Sequence, residues 1–385
     1  MPTVVISPYR TLKFLDGGGH FWVYLQYVHS LVQAGCEVYW LERFHRSDAG
    51  QDGSQVGALL ERLKHWGLAG KVILYTEASG SSGPDTKYEY VGATRAEARA
   101  VFERADLLLN FHYAIDPDLL TCFRRTALVD IDPGLLQTWM STGEVSVAPH
   151  DVYFTTGETV GTPSALFPDA GLDWVHIRPP VCLDLWPYVH DPGCETFTTV
   201  TNWWGGWVTE SVDGRQLLYD NTKRAAYLPF AALPRSTSQA LELAIHLAPG
   251  DAAERQMLQQ HGWQIRHASD VSRTPEMYRS YIQGSRGEFS CVKPSCIKLQ
   301  NSWISDRSLC YLASGKPVVM QHTGPNSYLP FGEGILRFST AEEAVEDLAT
   351  VNADYEKHCL AAREIAETYF DAQRVAEQIL NGALT

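Results

Sequence analysis

The chain has 385 residues, 45% of them hydrophobic and 20% charged, the balance of a soluble globular protein long enough for two domains, which excludes a disordered chain. Its formal net charge of −14 opposes a stable complex with bulk nucleic acid or an anionic membrane, because both depend on neutralising phosphate, although a local basic patch stays compatible with it. The eight cysteines form no Cys-x-x-Cys pair and have no histidine at zinc-ligand spacing, so they read as reduced and mostly buried, with no metal site expected.

Strand signals begin at once with Thr3–Ser7, a short apolar run suited to a buried strand, with no basic-then-apolar leader before it. No run reaches the ~18 apolar residues of a membrane span, so cytoplasmic residence is the expectation. Next comes Asp16-Gly17-Gly18-Gly19-His20, a glycine loop without dinucleotide-fingerprint spacing and without a P-loop lysine. The helix after it carries Phe21, Tyr24, Leu25, Val28, Leu31 and Val32 on one stripe, with Gln26, His29 and Gln33 expected to point elsewhere. Gly35 ends it, and Glu37–Leu41 is a second strand. A strand, glycine loop, helix and strand make the unit of a parallel sheet, whose ligands sit beyond the C-terminal ends of the strands. Asp16 and His20 fall there, though a turn start and a helix cap explain them equally.

Further strands are predicted at Lys71–Tyr75, Asp106–Phe111, Ala127–Ile131, Val152–Thr155 and Val175–Ile177, with a helix over Thr94–Arg104 and loops at Ser47–Ser54 and Gly80–Asp85. Polar residues follow several of these strands: Asn110 and His112, then Asp130 and Asp132, then Glu158. Together they would rim one crevice, while Asp132-Pro133-Gly134 also reads as a turn.

Arg178-Pro179-Pro180-Val181 is stiff and non-helical and divides the chain. The expected layout is an N-terminal Rossmann-like domain over 1–180, a second over 181–350, and a helical segment over 351–385 that crosses back to the first. Past the boundary, Phe197–Val200 is a strand leading into Asn202-Trp203-Trp204-Gly205-Gly206-Trp207, a loop that would cover something flat and apolar or simply pack. Lys223 and Arg224 start a helix, and Leu241–Leu247, Trp263–His267, Phe289–Lys293, Lys316–Met320 and Ile335–Phe338 are further strands. Ser302 or Ser305 caps the helix that Gly315 ends, and Asp306 lies in its first turn.

The run Leu312-Ala313-Ser314-Gly315-Lys316-Pro317-Val318-Val319, with Pro294-Ser295 before it and Gln321-His322-Thr323-Gly324 after it, resembles the donor-side segment of GT-B glycosyltransferases. The likeness is to the glycogen-synthase-like superfamily and an uncharacterised bacterial subfamily of it, and its specific motifs cover about fifty residues, Gly287 to Phe338. The resemblance implies an α/β fold of GT-B architecture, two Rossmann-like parallel-sheet domains facing each other across a cleft. It departs in one respect. Many retaining members carry a spaced pair of glutamates, and matching Gly315-Lys316-Pro317 to the family's Gly-Lys-Pro puts those positions at Ser302 and Cys310, neither a carboxylate.

What the resemblance implies is metal-independent transfer of a sugar from a nucleotide-diphosphate sugar, a UDP-sugar, to an acceptor hydroxyl, with no permanently bound cofactor. The acceptor would be a small molecule or glycan. Lys223, Lys293, Asp306, Arg307, Thr323 and Gly324 are the donor-binding candidates: three cations for the diphosphate, a carboxylate for the ribose and two backbone donors. His20 is the candidate base, with Asp16 and Asp132 as its partner or substitute, and the missing glutamate pair favours inversion. Gly18, Gly19, Trp22 and His112 are candidate acceptor contacts. A nucleotide-sugar epimerase and a sugar-nucleotide binding module without turnover are the alternatives. A transferase acting on modified nucleic acid is a third, which the net charge disfavours without excluding.

Overall fold

The computed structural model describes residues 1–50, 53–78, 87–212 and 215–385, so the predicted loop Gly80–Asp85 and part of the predicted loop Ser47–Ser54 lie outside the described residues. By its internal contacts the chain divides into two units. The first comprises Met1–Gly161, Pro168–Cys182 and Ala372–Thr385, and the second comprises Thr162–Phe167 and Leu183–Asp371.

In the first unit every residue of β1 (Thr3–Ser7) is buried, a pattern that only a strand covered on both faces tolerates. It is accordingly central. The sheet runs β4-β3-β2-β1-β5-β6-β7-β8, formed by β2 (Glu37–Arg43), β3 (Val72–Glu77), β4 (Tyr88–Val91), β5 (Leu107–Asn110), β6 (Thr126–Asp130), β7 (Val152–Thr155) and β8 (Trp174–His176). All neighbours are parallel except β3 and β4. Because β1 pairs with both β2 and β5, the strand order reverses there, and the crevice at such a reversal is where open α/β sheets bind ligands. One face of the sheet packs Val5, Leu41, Ile73 and Leu108 against Val101, Phe102 and Phe123.

The second unit repeats the logic. Its sheet runs β13-β12-β9-β14-β15-β16, built from β9 (Thr196–Asn202), β12 (Ala240–His246), β13 (Gln264–His267), β14 (Gly287–Ser290), β15 (Val318–Gln321) and β16 (Ile335–Phe338), with all pairs parallel. The reversal falls between β9 and β14. Phe289 stacks on Phe338 at 5.1 Å within a core that includes Phe197, Leu243 and Val319. A separate antiparallel hairpin, β10 (Trp207–Val212) with β11 (Arg215–Asp220), lies between β9 and β12 in sequence.

One expectation is corrected, and one left open between two readings divides residue by residue. The helix Gly18–Gln33 buries Gln26, which is 3% exposed, and exposes Val32 at 51%. The cause is a second covered face: the helix Ala372–Leu384 packs on it, and Gln26 Oε1 accepts a hydrogen bond from Cys182 N at 2.8 Å. The three tryptophans after β9 also part company, for Trp203 is fully buried and donates to Glu254 at 3.1 Å while Trp204 and Trp207 are exposed. Among the described residues no helix is long and apolar enough to cross a membrane.

Candidate functional site

In the first unit the loop after β1 is held from below by a buried carboxylate. Glu42 accepts from Thr11 Oγ1, from Leu12 N at 2.9 Å and from Trp40 Nε1 at 3.0 Å. Burial pushes its carboxyl upward, and those donors oppose the shift. Arg62 donates to Leu15 O in the same loop. The segment so fixed delivers Asp16, exposed, and then the helix start at Gly18. None of Gly17, Gly18 and Gly19 is left-handed; the close approach is at Gly17, where a Cβ would stand 3.0 Å from Phe14 O.

His20 is half-buried, with its ring edge-on to Phe14 at 5.1 Å and Tyr24 at 5.2 Å. Its Nε2 lies 2.8 Å from Tyr9 O. A carbonyl only accepts, so Nε2 carries the proton and Nδ1 keeps the free lone pair. Burial lowers the affinity of the ring for a second proton, partly offset by the Tyr9 carbonyl and the charge of Asp132. Asp132 is itself positioned by a network: its N–H donates to Asp130 Oδ1 at 3.0 Å, and Tyr113 Oη donates to its Oδ2 at 3.3 Å. Asp130 is fully buried, accepts from Gln137 and Thr155 at 2.8 Å each, and is pushed up to about 7 by that burial. Gln137 in turn accepts from Gly134 N at 2.6 Å, closing the Asp132–Gly134 turn. His112 lies half-buried with its ring 5.3 Å from that of Tyr9. His20, Asp132 and His112 are thus gathered beyond the C-terminal ends of β1, β5 and β6 through Tyr9 and Tyr113. Trp22, by contrast, is 1% exposed and edge-on to Trp66 at 5.1 Å, so its surface is spent on core packing and is not open to an acceptor.

In the second unit the strand-order reversal is stitched across. Thr222 Oγ1 accepts from Ala225 N at 3.1 Å and caps the helix Lys223–Tyr227. Asn221 Oδ1 accepts from Ser295 N at 2.8 Å, and Lys223 Nζ donates to Cys291 O, so the segment after β11 and the loop after β14 are tied by two bonds. Burial, helped by the charge of Arg307, pushes Lys223 down to about 7. Among the described residues no carboxylate lies within ion-pairing distance of it. Lys293 is exposed at the start of the short helix Pro294–Leu299.

Arg307 is engaged within the fold. Its Nε donates to Glu288 Oε1 at 2.6 Å, Nη1 to Val200 O at 3.0 Å and Nη2 to Ser290 Oγ at 2.8 Å. Burial works against its charge, and the Glu288 carboxylate, itself 0% exposed, outweighs that and keeps it protonated. Asp306 is half-buried at the first turn of the helix Asp306–Ala313, which Ser305 caps by accepting from Arg307 N at 3.2 Å. Thr323 is buried with Oγ1 donating to Trp303 O at 3.0 Å. The Gly324 amide donates to His322 Nδ1 at 3.1 Å, and a Cβ there would meet Gln300 O at 2.5 Å. Ser302 and Cys310, where the resemblance expects carboxylates, are both buried. Among the described residues no group of three or more His, Cys, Asp or Glu side chains is placed to hold a metal ion.

Sequence reading passed over Tyr9 and Asn221. The signal for both was position: Tyr9 stands two residues past the end of β1, and Asn221 directly precedes the cap of the Lys223 helix.

No protein-family model matches the sequence, and no curated protein matches it either. Solved structures do. An alpha-glucosyltransferase in complex with UDP and a 13-mer DNA aligns over 99% of both chains with TM-score 0.60 and 11% identity. HepE of Anabaena, in complex with UDP and glucose, aligns over 99% of both chains with TM-score 0.55 and 11% identity. Sucrose-phosphate synthase of Thermosynechococcus elongatus aligns over 99% of this chain and 98% of its own, with TM-score 0.55 and 12% identity. With two parallel α/β units matched along nearly the full length of such glycosyltransferase structures, the chain has the GT-B fold.

Proposed function

We propose that this protein is a metal-independent glycosyltransferase that moves a sugar from a nucleotide-diphosphate sugar, a UDP-sugar, to the hydroxyl of a small-molecule or glycan acceptor. The observation that carries the reading is Lys223, a buried lysine without a carboxylate partner among the described residues, tied by Nζ to the Cys291 carbonyl just past β14. Burial disfavours its positive charge, and a departing diphosphate is the anion that would stabilise the protonated form. Exposed Lys293 adds a second charge beside the same loop.

The first unit supplies the base. The acceptor hydroxyl gives its proton to Nδ1 of His20 as its oxygen bonds to the anomeric carbon, while the bond from that carbon to the diphosphate oxygen breaks. Asp132 stabilises the imidazolium that results. One displacement inverts the anomeric centre, consistent with the absence of carboxylates at Ser302 and Cys310. The DNA in one structural neighbour is no guide to the acceptor here, since a net charge of −14 disfavours holding a polyanion. Eight free cysteines, all but Cys122 buried, fit a reducing, cytoplasmic setting.

Calorimetric titration of UDP into the wild type and into Lys223→Met tests the donor role. Burial pushes Lys223 down to about 7, and a bound diphosphate would raise that value, so binding at pH 8 should take up a proton. We expect UDP affinity to fall about ten- to a hundred-fold in the variant, the worth of a charge-assisted hydrogen bond, and the proton uptake to vanish. UDP binding that is undetectable in the wild type, or unchanged in the variant, contradicts the reading.

A further inference from the structure

Beside His20 the first unit has a feature that sugar transfer as such does not require. Pro8, Tyr9 and Arg10 after β1, Arg43 at the end of β2, His45 just beyond it and His112 after β5 line a cavity of about 190 Å³. The cavity sits at the C-terminal ends of the three strands that meet at the order reversal. Its lining carries two guanidinium groups and two imidazoles and no Asp or Glu. The acids that reach the arginines lie outside it: Asp48 stands 3.7 Å from Arg10 Nη2, and the exposed Glu77 stands 2.6 Å from Arg43 Nη2.

Two details mark the cavity as built rather than incidental. Arg10 Nε is buried and has no hydrogen-bond partner, a cost that packing alone does not explain. Arg10 is also left-handed, with φ 55°, a backbone state that non-glycine residues rarely adopt and that concentrates at functional positions. The converging positive field registers on His112, whose imidazole is pushed down to about 4 by burial and then by Arg43, His45 and Arg10.

The geometry points to an oxyanion subsite: the acceptor carries a carboxylate or phosphate group that Arg10 Nε and Arg43 hold between the β1, β2 and β5 loops, with its reacting hydroxyl directed to His20. Tyr9 couples the two positions, since its carbonyl fixes His20 while its ring lies against His112. Planar guanidinium forks suit either oxyanion, so the shared chemistry is the two-oxygen face that both groups present. The net charge of −14 opposes binding of a long polyanion, while a small acid meets mainly the local field of the two arginines.

The acceptor role rests on the transferase reading; oxyanion binding itself does not, and the test keeps them apart. Inorganic phosphate and acetate are titrated separately, at constant ionic strength, into the full chain carrying Lys223→Met, which removes the donor cation as a competing anion site. The same titrations are repeated with Arg10→Met or Arg43→Met added, and His112 is followed by proton NMR. We expect saturable binding of at least one oxyanion, weakened about ten-fold or more by either arginine change, and a rise in the pKa of His112 on binding. The stronger of the two ligands names the group. Arg43→Lys, which keeps the charge and loses the fork, should bind with intermediate affinity, and UDP affinity should be the same in Arg10→Met as in the wild type. Failure of both oxyanions to bind, or binding indifferent to both arginine changes, overturns the subsite even if UDP binds. Oxyanion binding that depends on the arginines supports the subsite even in a protein that ignores UDP, and in that case only the acceptor role falls.

Discussion

The proton on Nε2 of His20 is fixed by a main-chain carbonyl that can only accept, and this one contact determines which nitrogen is open to chemistry. Because burial holds the ring below its ordinary value of 6.5, the imidazole is neutral across the neutral range. With donor saturating, the contribution of His20 to kcat should therefore be level there and fall on the acid side, as the ring gains its second proton. His20→Ala should lose about 10²- to 10⁴-fold in kcat and lose that acid limb. Asp132 raises the proton affinity of His20, so Asp132→Asn should move the limb to lower pH. A steady-state pH profile of the three proteins decides the matter: an acid limb that survives in His20→Ala assigns the base elsewhere.

Arg307 shows how an element can absorb a residue that sequence reading offers to a ligand. Its fork ties the helix Asp306–Ala313 to β9 through Val200 and to β14 through Glu288 and Ser290. Arg307→Met leaves Glu288 charged and buried, and should cost about 3–5 kcal/mol in urea unfolding, whereas Arg307→Met with Glu288→Met should regain most of it. A single variant that unfolds at the wild-type midpoint would refute that role. The strand scaffold itself was legible. β1, β7 and β16 lie where short apolar runs bounded by polar or glycine-bearing turns place them, and β1, buried along its whole length, carries the clearest signature of a strand covered on both faces. Pairings between distant segments leave none. Gln26 sits among apolar neighbours with nothing local to say that Cys182 and the helix Ala372–Leu384 cover it. The strand β4 and the hairpin of β10 and β11 passed unnoticed, since Tyr-Glu-Tyr-Val is short and half-exposed and the hairpin follows a tryptophan-rich loop that read as one piece. The candidate site divides the same way. His20 stands out at the end of its glycine loop and Asp132 just past β6, while Arg10 and Arg43 acquire a common cavity only once β1 is known to lie between β2 and β5.

At the scale of the whole molecule, the chain's last helix belongs to the unit that its first strand founds. Ala372–Leu384 buries Val375, Ala376 and Ile379, and Gly382 approaches Phe154 so closely that a Cβ would stand 3.1 Å from the ring. Deleting residues 372–385 should destabilise the first unit by about 1.5–3 kcal/mol for each of Val375 and Ile379, seen as a lowered melting temperature by calorimetry. An unchanged melting profile would show that the helix is dispensable to that unit. Beyond stability, in the proposed reaction the two sheets divide the chemistry: a buried lysine without a carboxylate partner among the described residues on one, and an imidazole with its neighbouring carboxylate on the other. The most direct measurement is proton NMR of turnover, with the wild-type protein incubated with a panel of UDP-sugars, with and without acidic and neutral acceptors. The expected result is acceptor-dependent release of UDP and a glycoside whose anomeric configuration is opposite to that of the donor. Interconversion of the UDP-sugar without an acceptor, or the absence of any turnover, would contradict glycosyl transfer, and a retained configuration would contradict His20 as its base.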